Sequence, residues 1–550
     1  MDTRNYLEGK SNEGFKFFGN HKKGNKSYIF RLLAPNAENV YIKGDFNNWE
    51  SEKLRKYNTG VFSKTIKNSK VNDEYIYIIE DKNGNKIYKL DPYAKIQNKD
   101  FSNSIVYDDS YKFSYKYKNK KNLNLYQVNL RYLNEIGVFD DDKSITKYIE
   151  YIKNLNFSHI LFMPITSYKD VESLGYSPFS FFSLDSNLDI DKIKRFIDLS
   201  HRDGLGVLVE FSLNEFDNSE KSLINFDFSN MYNYDYEDIL YNYKENINLD
   251  IGKDMVKSFV KSIIFYWIKE FNLDGVFISN LEDVIFWQGD ISRGINEKWL
   301  NFLKDLNEEI KNESKISIGN YNSIYNNDIN KDLGFSYIFD RSFSNIIKLF
   351  QKIPFYRDNY KEMVKKYFER DLNNFILGFN YYDSLSEGCS LLMKMYSEDF
   401  KYDQLKTLFT FLYSIKSNKI IFMGDEFGSI EKFDLRKLSR IKINKDEEED
   451  FLEFFKDLSY IYNNIFNNFS GKIKDEILEI EGYSLYAIKR LYKKKNYLLL
   501  FNFTDLIYNL KSPYFLDTLI STKNNKKSIE KDEIINIKPF ESFIFQIYKP

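Results

Sequence analysis

The sequence is poor in the residues that mark several common protein classes. One cysteine, Cys389, in 550 residues excludes an internal disulfide framework and a metal site built from cysteines. Three histidines, His21, His159 and His201, leave little material for a mechanism that needs a histidine pair. The 23 glycines form no phosphate-binding or dinucleotide-binding pattern. We therefore expect neither a cofactor nor a metal.

The charge balance is close to neutral. Lys plus Arg number 79 and Asp plus Glu number 81, which gives a formal net charge of −2. Such a balance lacks the basic surface that nucleic acids or anionic membranes require. The first residues lack the apolar segment of a secretory leader, and no run of about 18 apolar residues follows. We therefore expect a cytoplasmic, globular protein with neither a nucleic-acid nor a membrane partner.

Aromatic residues, by contrast, are abundant. They make up 18% of the chain, within an apolar share of 43%, which is ample for a folded core. Residues 25–107 contain short aromatic and β-branched runs separated by turns, which predicts a small all-β module. The last two runs flank residues 81–85 (DKNGN), a predicted hairpin with Gly84 at positive φ. Residues 1–24 are assigned as a lead-in, and residues 108–123, which are charged and lack a clear period, as a linker.

The pattern changes at residue 124. From residue 124 to residue 465, strand-like apolar runs alternate with amphipathic helical segments. These repeats predict a parallel sheet, either closed as a (β/α)8 barrel or open and doubly wound. Residues 466–550 return to alternating strands and predict a second all-β domain.

Short motifs in a collinear order resemble one known family. They are APNA (34–37), GDFNNW (44–49), DPYA (91–94), MPIT (163–166), GY (175–176), DG (274–275), SLLMKM (390–395) and FMGDEFG (422–428). Together they are similar to bacterial glycogen (1,4-alpha-glucan) branching enzymes of the α-amylase superfamily. The resemblance implies an α/β fold, in which a (β/α)8 TIM barrel is flanked by an N-terminal β-sandwich of the glycogen-binding type and a C-terminal all-β domain.

The same resemblance implies where catalytic residues should stand, and the sequence departs from the family at those positions. Ser279 occupies the position of the nucleophilic Asp after strand four, and Phe277 that of the family's Arg. Asn320 occupies the position of the general-acid Glu after strand five. Counting back from the SLLMKM motif places Tyr381 at a family His and Tyr382 at the third acid. Because retaining glycosyl transfer needs two carboxyl groups roughly 5–5.5 Å apart, these substitutions predict loss of branching activity.

Other carboxylates leave an enzyme interpretation open. The strand-three segment, residues 210–216, lacks the substrate-binding His that the resemblance leads us to expect. A relocated catalytic pair would have to come from nearby acids, namely Asp283, Asp340, Asp383, Glu210 and Glu215. The alternative is that these acids are solvated rim charges or structural partners.

Two aromatic residues retain features of a sugar-binding site. Tyr176 matches a family loop whose Tyr stacks on a glucose ring, and Trp49 stands at the tip of a predicted turn. Both residues can instead serve packing. Phe277, Tyr381 and Tyr382 either fill the groove or provide further stacking surfaces, and the sequence does not decide between these roles.

The sequence thus predicts a branching-enzyme homologue without its catalytic acids. The expected function of this pseudoenzyme is non-catalytic α-glucan binding or regulation in glycogen metabolism. Its expected partners are glycogen or a maltooligosaccharide, together with an active enzyme of the same metabolism. One alternative is residual glycosyl transfer by relocated carboxylates, and another is an interaction scaffold that no longer binds sugar. The oligomeric state stays open.

Overall fold

Three structural parts follow one another along the chain. The computed structural model describes residues 3–118, 120–242, 245–322, 333–435, 446–466, 473–480, 484–523 and 527–548. A β-sandwich is followed by a closed parallel barrel with surrounding helices, and then by a C-terminal β-sheet domain. The predicted fold class is confirmed, and the central sheet is a closed barrel rather than an open one.

The N-terminal sandwich consists of two sheets. One sheet contains Gly19–Gly24, Ser27–Leu33, Arg55–Lys56 and Val61–Lys67. The other contains Asn39–Gly44, Glu52–Lys53, Glu74–Glu80, Lys86–Lys89, Ile96–Gln97 and Ser104–Ile105. Alternate residues of Ser27–Leu33 and Asn39–Gly44 are buried, as expected of strands with one face on a core.

Two details of this module bear on the sequence-based expectations. Strands Glu74–Glu80 and Lys86–Lys89 pair as a hairpin, and Gly84 in their connection has a φ of 83°, as predicted. Strand Gly19–Gly24 lies within the segment assigned as a lead-in and pairs with Ser27–Leu33. Its sequence, GNHKKG, has no apolar alternation, so the pattern alone does not reveal it.

The barrel has eight parallel strands, and the last pairs with the first. They are β1 (Asn124–Val128), β2 (His159–Phe162), β3 (Gly206–Phe211), β4 (Gly275–Ile278), β5 (Ile316–Tyr321), β6 (Tyr337–Asp340), β7 (Leu372–Gly378) and β8 (Ser417–Phe422). Strands β1 to β5 are buried along their whole length, because helices cover the outer face and side chains fill the interior. The hydrophobic pattern did not single out β6, which has only four residues and ends in Asp340.

Helices surround the barrel. The main ones are α1 (Asp142–Asn154), α2 (Ile190–Arg202), α3 (Asp254–Glu270), α4 (Glu297–Asn312), α5 (Asn345–Gln351), α6 (Lys361–Glu369), α7 (Lys401–Ser414) and α8 (Asp446–Ile461). Aspartates cap two of them: Asp141 accepts the backbone N–H of Ser144 at 2.7 Å, and Asp189 accepts that of Lys192 at 3.0 Å.

Apolar side chains close the interior of the barrel. The cluster contains Leu123, Leu125, Leu161, Leu208, Phe277, Ile316, Ile318, Phe339, Ile376 and Ile420. Above it, toward the carboxyl ends of the strands, the interior becomes polar with Gln127 on β1 and Glu210 on β3. In barrels of this type the carboxyl ends of the strands are where functional sites form.

The N-terminal module packs directly on the barrel. The ring of Tyr93 stacks on Phe182 with ring centroids 4.5 Å apart. The buried ammonium of Lys89 donates to the carbonyls of Glu220, Ser222 and Ile224 at 2.5, 3.2 and 2.6 Å. These contacts hold the module in one orientation against the barrel.

The predicted linker is ordered along the outside of the barrel. The backbone N–H groups of Ser114 and Tyr115 both donate to the buried carboxylate of Asp198 on α2, at 2.9 Å each. The phenol ring of Tyr117 stacks on His201 with ring centroids 5.9 Å apart. Residues 108–118 therefore fasten to the helix layer although they form no helix or strand.

The C-terminal domain is a six-stranded sheet with a separate two-stranded one. The larger sheet contains Lys474–Leu478, Leu485–Tyr492, Lys495–Asn502, Phe515–Ser521, Ser528–Ile529 and Ser542–Tyr548, and the smaller contains Tyr508–Lys511 and Ile534–Ile537. Arg357 links this domain to the barrel, since its guanidinium donates to the carbonyl of Phe503 at 2.9 Å and to the amide oxygen of Gln404 at 2.6 Å. Among the described residues, no helix combines the length and apolarity that crossing a bilayer requires.

Candidate functional site

The mouth of the barrel, at the carboxyl ends of its strands, contains the residues that the sequence placed at catalytic positions. Ser279 follows β4 and is buried, and its hydroxyl donates to the carbonyl of Phe211 at 2.9 Å. That hydroxyl is held by neighbouring β3, and the side chain of Glu210 on the same strand lies beside it. Ser279 carries no charge, so it differs from the carboxylate nucleophile of retaining glycosyl transfer.

Asn320 lies near the end of β5 and is buried as well. Its side-chain carbonyl oxygen has no hydrogen-bond partner within the described part of the chain. An amide has no acidic proton to give to a leaving oxygen, so this position does not support general-acid catalysis. Asn320 is thus a buried, uncharged polar group.

The turn after β7 positions two tyrosines. Asn380 caps the short helix Tyr381–Leu385, accepting the backbone N–H of Tyr382 at 3.0 Å. The backbone N–H of Tyr381 donates to the side-chain oxygen of Gln127 at 2.8 Å, which ties this turn to β1. Tyr382 points outward with 58% of its surface exposed, whereas Tyr381 is half-buried.

Tyr381 covers the tyrosine that was predicted to contact sugar. The rings of Tyr381 and Tyr176 stack with centroids 5.0 Å apart and an interplanar angle of 21°. Tyr176 is only 5% exposed, and burial raises the pKa of its hydroxyl well above the usual value. In this arrangement one face of Tyr176 is occupied by another residue of the chain. Phe277 is also buried, inside the barrel against Phe339, so it fills interior space.

Glu210 is a buried carboxyl group at the barrel mouth. It is 1% exposed, and the amide N–H of Gln127 donates to it at 2.7 Å. Burial raises the pKa of Glu210 to about 7, against the opposing influence of the neighbouring Tyr176, Gln127 and Ser279 side chains. A carboxyl group with such a pKa can hold or release a proton near neutral pH.

The other acids considered for a relocated pair have structural partners. Asp340 accepts the backbone N–H of Ser342 at 3.0 Å, and Asp383 accepts that of Asn380 at 3.3 Å. Burial raises the pKa of Asp383 to about 6. Glu215 is buried and accepts from Ser177 at 3.4 Å, while Asp283 is half-buried in the short helix Glu282–Ile285.

An ion pair after β4 was not predicted from the sequence. Glu282 is buried, accepts the backbone N–H of Asn322 at 2.7 Å, and lies 3.5 Å from the guanidinium of Arg341 after β6. Burial raises the pKa of Glu282, and Arg341 opposes that shift. The only feature of the sequence that points to this ion pair is the position of Glu282, three residues after Ser279.

Trp49 lies far along the chain from these residues, in the N-terminal module. Its indole is 38% exposed, and the indole N–H donates to the carboxylate of Asp45 at 3.0 Å. The other oxygen of Asp45 accepts the backbone N–H of Glu74 at 2.8 Å. The ring is therefore held in a fixed orientation with part of its surface open, as a stacking platform would be.

The possible metal ligands of the chain are its His, Cys, Asp and Glu side chains. Within the ranges that the structure describes, no group of three or more His, Cys, Asp or Glu residues is arranged to hold a metal ion. The ionisable side chains described at the barrel mouth include Glu210, Asp383, Asp425 and the Glu282–Arg341 pair.

Comparison with known proteins identifies the class to which this architecture corresponds. Residues 17–94 match the family model of carbohydrate-binding module 48 (Isoamylase N-terminal domain). The whole chain superposes on the crystal structure of a pullulanase complexed with maltotetraose from Anoxybacillus sp. LM18-11 with a TM-score of 0.75, covering 100% of this chain and 89% of that chain at 14% identity. The protein therefore has a carbohydrate-binding module 48 domain and the α-amylase fold.

Sequence similarity relates the chain to branching enzymes. The chain is 27% identical over 510 residues to 1,4-alpha-glucan branching enzyme GlgB 1 of Clostridium perfringens (strain SM101 / Type A), covering 84% of this chain and 75% of that protein. It is 28% identical over 512 residues to GlgB of Francisella tularensis subsp. novicida (strain U112), covering 84% and 79%. The chain is thus homologous to these branching enzymes over most of its length, which confirms the homology that the motifs indicated.

Proposed function

We propose that this protein binds α-glucan without rearranging it and acts as a targeting or regulatory protein in glycogen metabolism. The observation that carries the proposal is the contrast between its two sites. The carbohydrate-binding module presents Trp49 in a fixed and accessible orientation. The barrel mouth carries Ser279, Asn320 and Tyr382 where the resemblance expects acids.

The chemistry of glycosyl transfer supports the non-catalytic half of this proposal. A retaining reaction needs one carboxylate to form the glycosyl intermediate and a carboxylic acid on the opposite side of the scissile bond. Ser279 and Asn320 are uncharged, and the hydroxyl of Ser279 donates to the carbonyl of Phe211. Removing both charged groups costs the electrostatic stabilisation of an oxocarbenium-like transition state.

The packing of side chains at the barrel mouth also supports a non-catalytic function. A sugar ring that stacked on Tyr176 would have to displace Tyr381 from the face that it covers. We therefore assign glucan binding to the N-terminal module around Trp49. The barrel would then provide a rigid body for contacts with an active enzyme of glycogen metabolism, in the cytoplasm where the homologous enzymes would act on the same polymer.

One observation favours a second candidate function, residual glycosyl transfer. Glu210 is a buried carboxyl at the barrel mouth with a pKa of about 7, the property expected of a general acid. A mechanism built on it also requires a second carboxylate across the sugar, and Asp340 and Asp383 are engaged with their own backbone turns. The Glu210→Gln variant separates the two functions, since it abolishes residual transfer and leaves glucan binding unchanged.

Affinity electrophoresis tests the proposed function. The protein is run through native gels with and without glycogen, beside the Trp49→Ala variant and the control variant Tyr460→Ala. Tyr460 is a 58% exposed aromatic residue on α8, so its removal matches the loss of an exposed ring elsewhere on the molecule. Glycogen is expected to retard the unmodified protein and Tyr460→Ala, and to retard Trp49→Ala much less. Equal mobility of all three proteins with and without glycogen would contradict glucan binding and favour a scaffold that no longer binds sugar.

A further inference from the structure

A cavity of about 570 Å³ lies outside the barrel, between β1, α1 and the turn after β8. Side chains alternate along a strand, and Leu125 and Gln127 face the barrel interior. Tyr126 between them therefore faces outward into the cavity. The cavity is consequently separate from the barrel mouth, and it takes no part in the function proposed above.

Five aromatic rings line the cavity. They belong to Tyr126, Tyr132, Tyr148, Tyr151 and Phe427. Tyr148 and Tyr151, on successive turns of α1, have ring centroids 6.2 Å apart and an interplanar angle of 24°. The faces of aromatic rings carry partial negative charge and attract cations.

One carboxylate lies in this aromatic wall. Glu426 is 1% exposed, and its oxygens accept three hydrogen bonds: from the hydroxyls of Tyr126 and Tyr151 at 2.7 and 2.8 Å, and from the backbone N–H of Gly424 at 2.7 Å. No Lys, Arg or His of the described ranges forms an ion pair with Glu426. Burial raises the pKa of Glu426, and these donors oppose that shift by stabilising the ionised form. When it is ionised, the carboxylate places a negative charge in the cavity wall without a countercharge.

We infer that this cavity binds a quaternary ammonium cation. The three donors occupy most of the acceptor sites of Glu426, so the carboxylate attracts a ligand mainly through its charge rather than by accepting further hydrogen bonds. A quaternary ammonium group matches this requirement, because it carries a positive charge and no N–H. A sugar matches it less well, because its hydroxyls need free acceptors, and the wall is mainly apolar.

The charges at the rim do not oppose this assignment. Lys147 and Ser144 lie at the opening on α1, and Lys147 is exposed to solvent. Water and salt screen an exposed ammonium strongly, whereas a carboxylate buried among aromatic rings acts through a medium of much lower polarity. The field of Glu426 therefore dominates inside the cavity.

The hydroxyl of Tyr148 provides an additional polar group. It is buried and has no hydrogen-bond partner among the residues that the structure describes. Choline is a small quaternary ammonium alcohol, and its hydroxyl could form a hydrogen bond with the hydroxyl of Tyr148. Choline is therefore a suitable probe for this cavity.

Choline and its neutral isostere 3,3-dimethylbutan-1-ol provide the test. The two molecules share their shape and hydroxyl and differ in charge. Saturation-transfer NMR on the full-length protein is expected to show choline binding, with the neutral isostere at least about tenfold weaker. Binding of both probes with equal affinity would show that the cavity recognises only shape, and would overturn the proposal.

Variants locate the binding. Tyr148→Leu removes one aromatic wall at a half-buried position and is expected to weaken choline binding about fivefold, while Tyr148→Phe keeps the ring and most of the affinity. Glu426→Gln is expected to weaken binding about tenfold or more, with its thermal unfolding recorded to confirm that it is folded. The control variant Tyr460→Leu leaves binding unchanged. Absence of choline binding, or binding that Tyr148→Leu does not alter, would overturn the assignment even if Glu426→Gln fails to fold.

Discussion

The ring of Tyr381 stacks on the ring of Tyr176, with centroids 5.0 Å apart and an interplanar angle of 21°. The two residues are 205 positions apart in sequence, and they come from the segment after β2 and the turn after β7. Their contact closes one face of the tyrosine that would otherwise be available to a sugar at the barrel mouth. The contact joins Tyr176 to Tyr381, the residue at the position where the resemblance leads us to expect a His.

Replacing Tyr381 by alanine is expected to destabilise the protein and to open the barrel mouth. The free energy of unfolding should fall by about 1–3 kcal/mol, since the variant loses an aromatic stack and buried area. Urea unfolding followed by intrinsic fluorescence measures the change. The neighbouring Tyr382 is 58% exposed, and Tyr382→Ala is the matched control, expected to change stability by less than about 0.5 kcal/mol. Equal effects of the two variants would show that the stack contributes nothing.

The pH dependence of stability reports on Glu210. Burial raises its folded-state pKa to about 7 from the usual value of 4.5, so the folded protein holds this proton more tightly than the unfolded chain does. Its contribution to stability is therefore fully present below pH 4.5 and is lost as the pH rises through 7.

The Glu210→Gln variant isolates that contribution. Between pH 5 and pH 8 the unmodified protein should lose on the order of 2 kcal/mol more stability than the variant does. The comparison cancels the other titrating groups, which the two proteins share. Parallel stability curves for the two proteins would show that Glu210 has an ordinary pKa, which would also remove the observation that favours residual transfer.

The contact between the N-terminal module and the barrel depends on Lys89. Lys89→Met leaves the carbonyls of Glu220, Ser222 and Ile224 without their donor, at an expected cost of about 2–4 kcal/mol. Limited proteolysis should then release the module sooner. Lys86 on the same strand is exposed, and Lys86→Met serves as the control, with unchanged proteolysis expected. If the two variants are cut at the same rate, another contact holds the module in place.

The fold could be predicted because its strands carry strong local signals. Apolar runs such as those of β1, β3 and β8 are buried on both faces, and that pattern is visible in sequence. The short strands gave no such signal. β6 contains four residues, and Gly19–Gly24 is polar along most of its length and is specified by its pairing partner.

The candidate site was predictable only where motifs fixed a position. Ser279 and Tyr381 were placed by counting from neighbouring motifs, and the structure shows both at the barrel mouth. The side chains around Ser279 and Tyr381 come from distant parts of the chain. The hydrogen bond from Gln127 to Glu210 and the ion pair between Glu282 and Arg341 join residues 83 and 59 positions apart, and no local pattern encodes such pairs.

The most direct test of the account is proton NMR of amylose after prolonged incubation with the purified protein. The account predicts that the anomeric signal of α-1,6 linkages does not grow and that the α-1,4 signal keeps its intensity, although the polymer is bound. A branching enzyme of the homologous group serves as the positive control in the same buffer. Growth of the α-1,6 signal above a protein-free sample, and its loss in Glu210→Gln, would show that the barrel is still a working enzyme and would contradict the central claim.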